Sequence, residues 1–306
     1  MRSQGTSSTG LTGIGGLKPR GPVAASTTRA GLIKRELRMW HEVADGVMVR
    51  RYTDFNLSIG LIKGEDAVLV VDTRGSERQG RALMDEISWI TNKPMKVVNT
   101  HYHFDHAFGN QPFVPAEIWG HESCATRLVE EAHATQYSLA AAMPEVTFEY
   151  TETRVAPPNR TFRESARIEL GGREVLLQHF GRGHTDNDVV VIVPDVHTMF
   201  VGDLVEQGAP PSFADAFPLD WATTLQQIVN VANGPVVPGH GDVVRRAFVE
   251  AQMHEHAALA SLALRIRFDG SPIENAIPFA PFPPEVSRLA LHRAMAQLDG
   301  SEPKAS

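Results

Sequence analysis

A single cysteine, Cys124, occurs in 306 residues. One thiol cannot close an intramolecular disulfide, which fits a reducing compartment, and Cys124 reads as a small apolar residue buried on a helix. There is no unbroken apolar run near the roughly 20 residues of a membrane span, nor the shorter apolar core of a signal peptide. A soluble, cytoplasmic protein with no membrane partner is therefore expected. Basic charge is in deficit: 29 Lys and Arg stand against 36 Asp and Glu, a net charge of -7. Lys34-Arg35 with Arg38, and Arg245-Arg246, are short basic groups suited to solvated helix surfaces. Nothing forms the clustered basic face that phosphate contact requires, so nucleic acid is not an expected partner. Internal repeats are missing too.

What remains is ordinary for a globular chain, with 42% hydrophobic and 21% charged residues and enough length for a sizeable core. Residues 1–36 are rich in Ser, Thr, Gly and Pro and are expected to be a disordered tail. Residues 37–268 should form one domain. Residues 269–306, a Pro-rich connection and a last amphipathic helix, should pack on it or on a partner, with Val286, Leu289, Ala290 and Leu298 facing inward. Residues 46–52 and 57–63 read as strands, and the wholly apolar Ala67-Val68-Leu69-Val70-Val71 as a central one. Ser76 with Gln79 has capping-box spacing and opens a helix to about Ile90. A strand over 96–99 follows, then a helix from Glu122, strands near 173–179, 189–193 and 198–201, a helix from Trp221, a short strand at Val236-Val237 and a helix over about 245–267.

Chemistry concentrates in Thr100-His101-Tyr102-His103-Phe104-Asp105-His106, directly after the apolar Val97-Val98. Three imidazoles and a carboxylate released from a strand end into one tight loop can converge on a divalent metal. Further segments repeat the pattern of an apolar run followed by a possible ligand: Gly183-His184-Thr185, Val201-Gly202-Asp203 and Pro238-Gly239-His240. An ordered series of this kind is far more specific than a lone histidine.

In these motifs the chain resembles the metallo-β-lactamase superfamily, whose signature is His-x-His-x-Asp-His, then a lone His, a lone Asp and a final His. The resemblance runs from about Leu37 to Arg265. It implies an α/β (α+β) fold, the αββα sandwich of the metallo-β-lactamase type. Similarity to dinuclear members such as glyoxalase II implies that His101, His103 and His184 hold one metal and Asp105, His106 and His240 a second, with Asp203 bridging. Two Zn²⁺ per chain are expected, although the ligand set also suits iron and manganese. Asp105 has a second possible role, orienting the attacking water. Asp72, at the end of the central strand, is expected to hydrogen-bond loop backbone or a liganding histidine. Asp186 or Asp188 should brace the His184 loop. His121 is a candidate for the pocket, and His254 and His256 are expected on the surface of the late helix.

The resemblance also narrows the reaction. Secreted metallo-β-lactamases carry Cys where Asp203 stands and place a Lys soon after it, whereas Glu206 follows here and would repel a substrate carboxylate. Only 36 residues separate Asp203 from His240, too few for the inserted domain of nucleic-acid-processing relatives. The expectation is a dinuclear zinc-dependent hydrolase in which metal-bound hydroxide attacks the carbonyl of a small ester, thioester, lactone or cyclic amide, with weak β-lactamase activity possible. Glu206, Phe213, Phe217 and Trp221, in a loop near the metals, are candidate pocket residues. The alternative is a mononuclear iron sulfur dioxygenase of the same fold. Oligomeric state is left open.

Overall fold

The computed structural model describes residues 39–301. The expected disordered tail, residues 1–36, lies outside them.

Strand β4 (Val68–Val71) is buried along its whole length, as its unbroken apolar sequence requires of a strand covered on both faces. It lies in a seven-stranded sheet between β3 (Ser58–Lys63) and β5 (Met95–Val98). Antiparallel β1 (Trp40–Ala44) and β2 (Val47–Arg51) extend one side, and parallel β6 (Ile118–His121) and β7 (Arg160–Phe162) the other. A second sheet runs β12 (Val236–His240), β11 (Thr198–Glu206), β10 (Val190–Val193), β9 (Glu174–Gln178) and β8 (Ser165–Glu169). Only β11 and β12 are parallel in it.

Period-two patterning makes each sheet two-faced. Val49, Ile62, Leu69 and Val71 from the first sheet meet Val175, Leu177, Val191 and Phe200 from the second, forming the core between sheets. On the outer face of the first sheet, Ile59, Leu61, Val68 and Val70 pack on Leu83 and Ile87 of α1 (Glu77–Ile90). Between α1 and the rest of the chain come the short α2 (Phe104–Ala107), the long α3 (Glu122–Ala142) and the short α4 (Thr147–Thr151). The outer face of the second sheet is covered by α5 (Pro218–Val231), α6 (Arg246–Asp269) and α7 (Pro284–Leu298). The layers are helix, sheet, sheet, helix, as the αββα expectation required.

Several local expectations change in detail. The Ser76 side chain caps α1 by accepting from Gln79 N, but Gln79 reaches back to Gly75 N instead of Ser76 N. Cys124 is buried on α3, where desolvation pushes its thiol up. On α7 the buried residues are Ser287, Ala290, Leu291 and Ala294, while Leu289 is exposed. Small residues there allow close approach to α5 and α6, which apolar character alone did not reveal. His256 is fully buried on α6, contrary to its expected surface place.

Candidate metal centre

The motif residues other than Asp203 end or follow strands of one sheet or the other. Asp72 follows β4, and the His101 to His106 loop follows β5 and turns into α2. His184 lies between β9 and β10, and His240 is the last residue of β12. Asp203 is inside β11, because that strand continues to Glu206 beyond its expected end at Val201. Parallel pairing of β11 with β12, with a register shift at Gly202, brings Asp203 beside Pro238-Gly239-His240. A Cβ on Gly239 would lie 1.9 Å from Asp203 Oδ1, so only glycine leaves that carboxylate its place. On the other side, a Cβ on Gly80 of α1 would lie 2.1 Å from the Gly109 carbonyl. This backbone contact seats the segment after the His loop against α1.

Two groups of ligand atoms result. His101, His103, His184 and Asp203 form one, and Asp105, His106 and His240 the other; within each, the atoms lie within 4.8 Å of one another. Asp203 touches both. Its Oδ2 is 3.8 Å from His101 Nε2, 3.5 Å from His184 Nε2 and 3.1 Å from His240 Nε2, and its Oδ1 is 3.2 Å from His106 Nε2. Asp105 Oδ2 lies 3.4 Å from His240 Nε2.

Outer hydrogen bonds turn the rings inward. Asp72 Oδ2 accepts from His106 Nδ1 at 2.8 Å and from Thr100 Oγ1 at 2.8 Å, while its Oδ1 accepts from Thr100 N at 2.7 Å. The residue holds φ +65, a conformation that costs a non-glycine residue about 1–3 kcal/mol and that recurs at functional sites. The Phe55 carbonyl accepts from His240 Nδ1 at 2.7 Å. Asp215, which sequence reasoning missed, accepts from Tyr102 Oη at 2.6 Å and from His103 Nε2 at 3.1 Å. Its one signal was an acidic residue between apolar neighbours, Phe213-Ala214-Asp215-Ala216. Asp188 braces the His184 loop by accepting from Thr185 N and Oγ1, and Asp186 pairs with Arg127. His121 stands apart, capping α3 through Ser123 N and lying 4.5 Å from the His179 ring.

Charge follows the same map. Burial pulls His103 down, but Asp215, Asp105 and Asp203 outweigh it and carry the ring up to about 9. Burial alone would raise Asp203, yet His240, His106 and His101 hold it well below the ordinary carboxylate range. Burial, seconded by Asp203, pushes Glu206 up to about 8.

The donor set fits cations. His101 Nε2 and Asp203 Oδ1 are buried with no hydrogen-bond partner among the described residues. His103 Nδ1 and His184 Nε2 face each other at 2.9 Å, and His106 Nε2 and His240 Nε2 at 3.3 Å. Neutral imidazoles whose outer nitrogens are protonated would present lone pairs in these contacts, which a divalent cation satisfies.

A cleft of about 400 Å³ opens over both groups, bounded by Phe55, Phe104, Glu206, Ala209 and Ser212. Phe55 and Phe104 meet edge to face at 5.4 Å. Of the candidate pocket residues, Glu206 lines this cleft, whereas Phe213, Phe217 and Trp221 do not; they are buried, and Phe213 and Trp221 belong to the core under the second sheet. The helix expected from Trp221, α5, begins earlier, at Pro218.

Paired His/Asp groups at one end of an αββα sandwich define a candidate metal-binding site. The family model of the metallo-beta-lactamase superfamily matches residues 52–240, and the chain belongs to that superfamily. Among curated relatives it is 24% identical over 221 residues to a linear primary-alkylsulfatase of Pseudomonas sp. (strain ATCC 19151), covering 60% of this chain and 41% of the relative. It therefore spans less than half the length of that relative. Against the acyl-coenzyme A thioesterase MBLAC2 of Gallus gallus it is 24% identical over 202 residues, 60% of this chain and 72% of the relative. The solved sec-alkylsulfatase Pisa1 from Pseudomonas sp. shares its fold with a TM-score of 0.67 at 15% identity, over 84% of this chain and 50% of that one. A metallo-beta-lactamase from Pontibacter korlensis gives 0.55 at 20% identity, over 71% and 98%. Among the described residues no helix is long and apolar enough to cross a membrane.

Proposed function

We propose that this chain is a dinuclear zinc-dependent hydrolase of a small, uncharged acyl substrate: an ester, thioester, lactone or cyclic amide. The observation that carries the reading is Asp203, whose two oxygens contact imidazoles of both groups. His101, His103 and His184 would hold one Zn²⁺, Asp105, His106 and His240 the other, and Asp203 both. When bound, the pair supplies a Lewis acid and acidifies water near neutral pH.

The chain's own side chains do the rest. Asp105 lines the cleft and is the residue to orient the attacking water and accept its proton. Phe55, Phe104 and Ala209 offer an apolar wall for an acyl group. No lysine or arginine lines the cleft among the described residues, and Glu206 lies on it. A substrate carboxylate or sulfate would find no side-chain counter-ion, which favours a neutral acyl group. The similarity to an alkylsulfatase supports a second reading, cleavage of an alkyl sulfate ester, whose single negative charge bound metals would offset.

Elemental analysis of freshly purified protein, paired with turnover of chromogenic thioester, lactone, cephalosporin and alkyl sulfate substrates, tests this. Close to two zincs per chain with acyl turnover is the expected result. Turnover of the sulfate alone would replace the acyl reading with the second one. One iron per chain, no hydrolysis and persulfide-dependent oxygen uptake would establish the sulfur dioxygenase instead.

A further inference from the structure

Four of the five clustered imidazoles have an anchored outer nitrogen: His101 on Thr100 Oγ1, His103 on Asp215, His106 on Asp72 and His240 on the Phe55 carbonyl. His184 differs. Its Nδ1 is buried and has no partner among the described residues. Against it lies Trp221, with ring centroids 5.7 Å apart, and stacked on that indole at 4.2 Å and 28° is His256 of α6. The indole N–H cannot serve either imidazole, because it donates to the Leu204 carbonyl at 3.1 Å.

His256 is an unusual occupant of an aromatic box. It is completely buried, with Phe213 at 5.6 Å and Phe282 at 5.4 Å completing the walls, and neither ring nitrogen has a partner among the described residues. A phenyl ring would fill this space without unpaired polar atoms, each of which costs about 1–3 kcal/mol. Two imidazoles with unpaired nitrogens therefore contact the same indole, one from the metal centre and the other from the helical layer behind the second sheet. Such pairs of unpaired groups point to a shared partner.

We infer that His256 is the outer anchor of His184, joined to His184 Nδ1 through one buried water molecule, and that it positions that ring toward the metal centre. This rests on the reading that His184 is a metal ligand. His184 Nδ1–H donates to the water, and the water donates to a His256 nitrogen; the inner Nε2 then keeps its lone pair. His256 touches neither metal nor substrate, so it is a positioning residue. It ties α6 to the site, which the other four anchors do not do.

The test is His256→Phe, with His256→Gln as a variant that retains an acceptor. Zinc affinity, measured by chelator competition, should fall roughly 10–100-fold in His256→Phe and recover in part in His256→Gln. The melting temperature of metal-free His256→Phe should equal or exceed that of the parent. Long-range ¹H–¹⁵N correlation should show His184 as the Nδ1–H tautomer in the parent protein and a displaced resonance in the variants. Unchanged zinc affinity with an unchanged His184 resonance overturns the proposal. If the parent takes up no zinc, the ligand reading fails, and the His184 resonance still decides: insensitivity to both substitutions overturns the anchor. Should His256→Phe not fold, His256→Gln is read by the same resonance, and an unaltered signal again overturns it.

Discussion

Replacing Asp215 by Asn changes one atom and reverses a proton preference at the metal centre. The carboxylate accepts from both Tyr102 Oη and His103 Nε2. An amide of the same shape puts an NH₂ in place of one carboxylate oxygen, either Oδ1, which faces His103 Nε2 at 3.1 Å, or Oδ2, which faces Tyr102 Oη at 2.6 Å and His103 Nε2 at 3.2 Å. If its nitrogen faces His103, the ring is driven to carry its proton on Nδ1, the atom that faces His184 Nε2 at 2.9 Å. That proton would occupy the cation's place. If the amide turns over, Tyr102 must become the acceptor and His103 loses a charged partner. Loss of such an outer partner lowers metal affinity about 10–100-fold, or about 1.4–2.7 kcal/mol. In the metal-free protein one charge-assisted hydrogen bond is lost, about 1.5–3 kcal/mol of stability.

The pH dependence has a definite sign. His103 is raised from 6.5 to about 9, so the stability it contributes is complete below about pH 6.5 and is lost as pH rises through 9. Asp215 is depressed, so its contribution is present above the ordinary carboxylate range and is lost as pH falls through its folded value. Asp215→Asn should therefore flatten the decline of metal-free stability between pH 6.5 and 9. Chelator competition and urea denaturation across that range measure both effects. A folded Asp215→Asn protein with parental zinc affinity and an unchanged pH slope would refute the assignment of Asp215 as the anchor of His103.

Removing metal with a chelator should lower the melting temperature and abolish turnover, with zinc restoring both; a chelator-treated protein that melts as before would contradict a metal bound by the native state. Gly239→Ala should lose bound zinc while keeping its helical signal, because the new methyl displaces the Asp203 carboxylate; parental metal content would show that the strand yields easily. His256, held down to about 3 by burial and by His184, should make the protein lose about 1.4 kcal/mol per pH unit as pH falls from 6.5 toward 3. Urea titrations of His256→Phe in that range should lack this component, and an identical slope would show that His256 titrates normally.

The His and Asp motifs that form the two clusters were legible because each joins an apolar run to polar residues, a pattern that survives without knowledge of the fold. The central strand and the Ser76-capped helix were legible for the same local reason. Asp215, the packing face of α7 and the place of His256 were not. Asp215 acts through residues more than a hundred positions away, and no local signal marks such a pairing. Phe213, Phe217 and Trp221 show the converse: their apolar character suits a pocket and a core equally, and only the packing of α5 against the second sheet assigns them to burial.

By itself, the sequence determined eight of the twelve strands described, the long helices, and the His and Asp motifs with their order along the chain, since strand, cap and motif patterns are short-range properties. Tertiary structure alone decided which nitrogen each imidazole turns inward, that Asp203 faces both groups, and which aromatics line the cleft. Those outcomes depend on hydrogen bonds and contacts between segments far apart in the chain, whose geometry exists only once both sheets and their helical layers have closed on one another.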